Sequence, residues 1–166
     1  MSERSPAPGG LELVQSLVNT LDIESGADSL DTAEGRARLG LAEEDIPGAR
    51  ELRESLRVAL LAHAGHPPHD AVTPLGDLLA ASPLVLAVDA VDGSATLAPA
   101  AAGPLLSRVA AAIAQALVEG TWTRLKACEA VDCHWAYYDR SPAGRGRWCS
   151  MQVCGARAKM RRYRAR

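Results

Sequence analysis

The stretch that decides the reading is CEAVDCHWAYYDRSPAGRGRWCSMQVC, residues 128–154. It holds all four cysteines of a 166-residue chain, in the pattern C-x4-C-x15-C-x4-C. Two close pairs separated by a loop suit one zinc ion. Each pair can turn back and offer two sulfurs to a closed tetrahedral site with Zn–S bonds of about 2.3 Å. The rival readings are disulfides and free or redox-active thiols. The N-terminal MSERSPAPGG is polar and lacks the charged start and apolar centre of a signal peptide. A cytoplasmic location is therefore expected, and structural disulfides are disfavoured there. Cys128, Cys133, Cys149 and Cys154 are the expected ligands of one structural Zn2+. His134 directly follows Cys133, and adjacent residues rarely aim at one ion, so it is expected to stand by.

Between the pairs lies WAYYDRSPAGRGRW. Trp135, Tyr137 and Trp148 alternate with smaller or polar residues, as in two short strands, and Ser141–Gly144 supplies the turn. A module of about 40 residues cannot bury a conventional core, so the metal is expected to supply the missing stability, with the aromatic rings covering it.

Beyond Cys149 the chain reads SMQVCGARAKMRRYRAR. On a helical wheel Val153, Ala156, Met160 and Tyr163 form an apolar stripe, expected to pack on the second cysteine pair. Arg157, Arg161 and Arg164 share another face, and Lys159, Arg162 and Arg166 lie opposite. Six cations fall within residues 157–166, and no acidic residue follows Asp139. That is more charge than solubility requires, and a phosphate backbone is its natural partner. These six residues are the expected DNA contacts.

The formal net charge of -2 conceals a division. Residues 1–121 carry 7 Lys+Arg and 17 Asp+Glu, whereas residues 122–166 carry 11 and 3. A basic module is thus joined to an acidic body. The two surfaces either dock on each other or leave the module free for an outside polyanion. A protein partner, or the chain's own body, is the alternative to DNA.

The expected organisation is a disordered leader over 1–10, a body over 11–121 and the finger over 122–166. In the body, Val14, Leu17, Val18 and Leu21 have helical spacing. Thr32 is a plausible N-cap for a short helix towards Leu41, and Pro47 suits a first helical turn. Leu52, Leu56 and Leu60 form a stripe with Arg53 and Arg57 beside it. Thr73-Pro74 starts a further short helix. PLVLAVDA (83–90), Asp92-Gly93 and SATLAP read as strand, turn, strand. Leu106, Val109, Ile113, Ala116 and Leu117 share one helical face, ended by Gly120. The fold class is α+β: a mainly helical body with a small β-hairpin, then a four-cysteine zinc finger with two knuckles, a short hairpin and a basic helix.

Other chemistry is thin. HAGHPPH (63–69) has ligand-like spacing, but its prolines and glycine suit an exposed loop. There is no nucleophile–base pair, no GxGxxG and no phosphate-binding loop, and the spacing of Asp89, Asp92 and His69 favours no catalysis. No enzyme activity is expected. No apolar run reaches about 18 residues, so no membrane span is expected.

The motifs R-L-K-x-C (from Arg124), C-x-W-x-aromatic-x-D-x-S (from Cys133), R-W-C-S-M (from Arg147) and C-G-x-R-x-K (from Cys154) together resemble the CGNR-type zinc finger. LELVQSLVNTLD (11–22) resembles the start of the ABATE domain, which precedes such fingers. The resemblance implies zinc on the four cysteines, basic motif residues at Arg157 and Lys159, and a stress-induced transcriptional regulator whose DNA binding is inferred. It names no effector. Ala156 stands where the family has Asn, which removes any contact made through that side chain. Tyr137 replaces the usual Phe.

Overall fold

The computed structural model describes residues 5–67, 71–101 and 103–165. Helix α1 (Leu11–Val18) buries Leu11, Val14, Leu17 and Val18. Thr32 Oγ accepts from Gly35 N and caps α2 (Ala33–Leu39), which Gly40 ends in the left-handed conformation. Helix α3 (Ile46–His63) carries Pro47 in its first turn and buries Leu52, Leu56, Leu60 and Leu61. After α4 (Leu75–Leu79), strands β1 (Leu84–Val88) and β2 (Ala95–Pro99) pair antiparallel, with Leu86 opposite Leu97. Helix α5 (Leu105–Val118) buries Val109, Ile113 and Ala116 but leaves Leu117 outside the core. Helices α1, α3 and α5 pack together, and α5 also supports the β1–β2 hairpin.

Two expectations change at the junctions. The leader is not disordered over Ser5–Gly10. Ala7 is buried, its N–H donates to Gln15 Oε1 at 2.6 Å, and Arg140 holds the Pro6 carbonyl at 2.7 Å. Nor does the core stop at residue 121. Strands β3 (Leu125–Ala127) and β4 (Ala136–Tyr138) form a second antiparallel hairpin. Leu125, Ala127 and Ala136 are fully buried in the same apolar cluster as α1, α3 and α5.

That hairpin also differs from the expected one. The partner of the Trp135–Tyr138 segment is Leu125–Ala127, not the segment after the turn. The Ser141–Gly144 turn does form, closed by Gly144 N–H to Ser141 O at 3.1 Å. The following chain is held by side chains instead of a ladder. Lys126 Nζ donates to Asp139 Oδ2 at 2.9 Å and to the Gly144 carbonyl at 2.5 Å, and Tyr137 O–H donates to Gly146 O at 2.7 Å.

The chain after Ser150 forms a wide π-type turn (Met151–Gly155) and then α6 (Ala156–Arg164). No residue of α6 is buried. Val153, Met160 and Tyr163 are 40%, 51% and 77% exposed, so the expected apolar stripe does not pack on the knuckle. The π-type turn rotates α6 away from the phase counted through Val153, and Trp148 and Ala130 cover the cysteines instead.

Candidate metal centre and basic helix

The knuckles are built by turns at both ends of the finger. Cys133 N–H donates to Ala130 O at 2.9 Å, which folds the first pair back on itself. In the second, Ser150 Oγ accepts from Val153 N–H, and Gly155 N–H donates to Ser150 O at 3.0 Å. A Cβ on Gly155 would lie 3.0 Å from Met151 Sδ and 3.3 Å from Trp148 Cδ1, so a side chain there would press the exposed Met151 side chain and Trp148 aside by a few tenths of an ångström.

These turns bring Cys128, Cys133, Cys149 and Cys154 together, all four Sγ atoms within 4.8 Å of one another. Cys133 Sγ lies 3.6 Å from Cys149 Sγ, which lies 3.5 Å from Cys154 Sγ. These spacings are far beyond a disulfide bond of about 2.05 Å. They approach the edge of about 3.8 Å that a tetrahedron of Zn–S bonds requires. Cys128 and Cys154 are buried, and Cys133 and Cys149 are half-buried. The set fits a closed, sulfur-only zinc site.

Its electrostatics point the same way. Hydrogen bonds from Cys128 and then Cys149 favour the Cys133 thiolate. The Cys149 thiol is pushed strongly up by Cys128, Cys133 and burial. Four sulfurs so close resist ionising together unless a cation compensates them, and zinc binding is coupled to their deprotonation. His134 stays outside this set. Its backbone is left-handed at φ 45°, and its ring Nδ1 lies 3.0 Å from the Cys128 carbonyl oxygen. His63 is also engaged elsewhere: its Nδ1 meets Leu125 O at 2.8 Å, and its ring stands edge-on to Trp122. His66 Nε2 lies 3.5 Å from Glu129 Oε2, and His69 lies outside the described residues.

The finger's other motif residues serve its own frame. Arg124 donates to the Asp139 and Ser141 carbonyls at 3.0 and 2.7 Å. Asp139 accepts from Lys126, Gly146 N–H and Ser141. Burial would raise its pKa, but Ser141, Lys126 and these amides hold its carboxyl well below the usual range. The R-L-K and D-x-S signatures thus pin the loop that carries Cys149. An alternation count does not reveal this, because the signal lies in opposite charges 13 residues apart.

The body grips the finger through residues whose role sequence reasoning missed. Asn19 Nδ2 donates to Ala136 O at 3.0 Å, and its Oδ1 accepts from Ala136 N–H at 2.7 Å. The side-chain amide therefore continues the β4 edge as a neighbouring strand would. Arg57 is 0% exposed and donates to Val18 O and His134 O, each at 3.0 Å. Arg53, also buried, reaches Thr20 Oγ at 3.1 Å and Asp28 at 2.8 Å. Asn19→Ala is expected to cost about 1–3 kcal/mol, because it strands the Ala136 N–H and leaves the Ala136 carbonyl only the longer bond from Gln15 Nε2 at 3.3 Å. The measurement is the urea midpoint of the zinc-loaded chain. An unchanged midpoint would show that the amide contributes nothing.

On α6, Arg157 pairs with Glu24 of the body at 3.1 Å, and Arg161 approaches Asp132 at 3.7 Å. Lys159, Arg162 and Arg164 are exposed and form no ion pair among the described residues. Arg166 lies outside them.

The architecture is that of a helical body joined to a four-cysteine zinc finger with one structural Zn2+. A family model for the CGNR zinc finger matches residues 124–166, and one for ABATE, described as "Putative stress-induced transcription regulator", matches residues 11–120. The chain belongs to the ABATE family and ends in a CGNR zinc finger. No curated protein matches it. Among the described residues, no helix is long and apolar enough to cross a membrane.

Proposed function

We propose that this chain is a cytoplasmic, non-enzymatic transcriptional regulator. In this reading the finger binds DNA through α6, and the body positions the finger and senses an effector. The observation that carries the reading is the outward face of α6, where Lys159 and Arg162 are exposed and unpaired among the described residues. The opposite face is turned towards acidic residues of the same chain, through Arg157–Glu24 and Arg161–Asp132. The outward face is the one free to meet phosphates, and exposed charges contribute little to folding. Lys159→Gln/Arg162→Gln is therefore expected to keep zinc and fold but to weaken duplex DNA binding. The slope of log affinity against log salt should flatten by up to about 2 units if both residues meet phosphates. Fluorescence anisotropy across a salt series reads both quantities. An unchanged affinity and slope would remove this face from the interface.

The Arg157–Glu24 pair favours a second reading, in which the finger docks on the acidic body as a protein-interaction surface, while Arg161–Asp132 lies within the finger. Arg157→Gln/Arg161→Gln separates them. If these residues only dock, DNA affinity holds or rises when they are neutralised. If they touch DNA, it falls.

A further inference from the structure

Between α1 and the finger lies a cleft of about 490 Å³, within the size range of small-molecule sites. Glu12, Gln15, Ser16 and Asn19 of α1 form one wall, with Asp22 and Glu24 following them. The finger supplies Cys133, Trp135, Val153, Cys154 and Arg157, and Pro6 closes one end.

The charge in this space is one-sided. Three acidic residues, Glu12, Asp22 and Glu24, line it with one cation among the described residues, Arg157, which is paired with Glu24. Two of the four cysteines of the zinc site, Cys133 and Cys154, line the same cleft. A zinc ion held by four thiolates carries a formal charge of about -2, which adds to the negative field. An anion or a phosphate is therefore disfavoured here. The rest of the finger's wall is Trp135, Val153 and Ser150, with Pro6 at one end. An indole side chain and nearby carboxylates in one cleft suit an organic cation with an apolar body.

We propose that this cleft is a binding site for a small organic amine, protonated at neutral pH, with its ammonium towards Glu12 and Asp22 and its apolar part against Trp135 and Val153. This rests on the reading of the body as a sensor and names the chemical class of its effector. A ligand seated there would touch α1 and both knuckles at once. It would tighten the finger on the body at the Arg157–Glu24 contact, one turn of helix from the proposed DNA face.

The test uses the zinc-loaded full chain and no DNA, so that it stands apart from the DNA-binding reading. The probes are phenethylamine, the neutral 2-phenylethanol and the anionic 3-phenylpropionate, titrated against 1H–15N correlation spectra. Phenethylamine is expected to give saturable shifts centred on Ser16, Asp22, Val153 and the Trp135 indole N–H. It should bind about tenfold more tightly than the alcohol and more tightly still than the acid, and salt should weaken it. Glu12→Gln/Asp22→Asn is expected to remove that preference while zinc content and the remaining spectrum are unchanged. The amide introduced at position 22 keeps an oxygen for the Glu24 N–H that Asp22 now accepts. Equal binding of amine and alcohol, shifts scattered away from the cleft, or no saturable shift with the amine would each overturn the proposal. DNA affinity with saturating phenethylamine then reads the coupling separately.

Discussion

Cys154→Ser is expected to empty the zinc site and unfold the distal half of the finger, while the body stays folded. Cys154 is 3% exposed and sits in the π-type turn that leads into α6. Without its sulfur the remaining thiols no longer close a tetrahedron, and the hydroxyl is a poor substitute for a thiolate. Structural zinc sites contribute an apparent binding energy of about 10–16 kcal/mol, and in a module this small that energy is folding energy. The local apolar cluster, Cys128, Ala130 and Cys154 with Trp148 against them, is too small to replace it. Loss should stop at the β3–β4 hairpin, because Leu125, Ala127 and Ala136 belong to the main core. Metal analysis should therefore find less than one zinc per chain. Amide spectra should lose dispersion for residues 128–134 and 147–164 while α1, α3 and α5 keep theirs. Full zinc occupancy in the variant would show that Cys154 is not a ligand.

Arg57→Met is expected to produce the largest loss in the body, roughly 3–5 kcal/mol, or on the order of 10 °C in Tm. The guanidinium is fully buried and satisfies three acceptors at once: Glu54, Val18 O and His134 O. Methionine fills much of the volume but removes the guanidinium that both carbonyls accept from, and Glu54 keeps the bond from Arg53. Because His134 directly follows Cys133, the damage should reach the metal centre. Zinc affinity is expected to fall together with Tm, whereas a surface change such as Arg38→Gln moves neither. A Tm within about 2 °C of the parent chain would show that the buried guanidinium is not what joins body to finger.

These two residues also mark what the sequence revealed and what it did not. Cysteine spacing is a local signal, and the structure gathers the four sulfurs it picked out. Helices with strong apolar periodicity, such as α3 and α5, and the Asp92-Gly93 hairpin were legible for the same reason. Arg57 was seen only as a cation beside a stripe, because its partners lie 39 and 77 residues away. Asn19 likewise shows its role only when β4, 117 residues away, is placed beside it. The hairpin partner was misjudged because side chains, not a strand ladder, hold residues 144–146. The stripe on α6 failed because amphipathicity shows what a helix can pack, while the π-type turn determines where it points.

The account rests on zinc holding α6 so that its outward face can meet DNA. The most direct measurement is anisotropy of a labelled DNA duplex with the zinc-loaded chain and with the same chain after chelation, each across a salt series. The zinc-loaded chain is expected to bind, with affinity falling steeply and linearly in log salt, and chelation should abolish binding together with the dispersion of the finger's amides. No binding at low salt with zinc fully loaded, or equal binding after chelation, would contradict it.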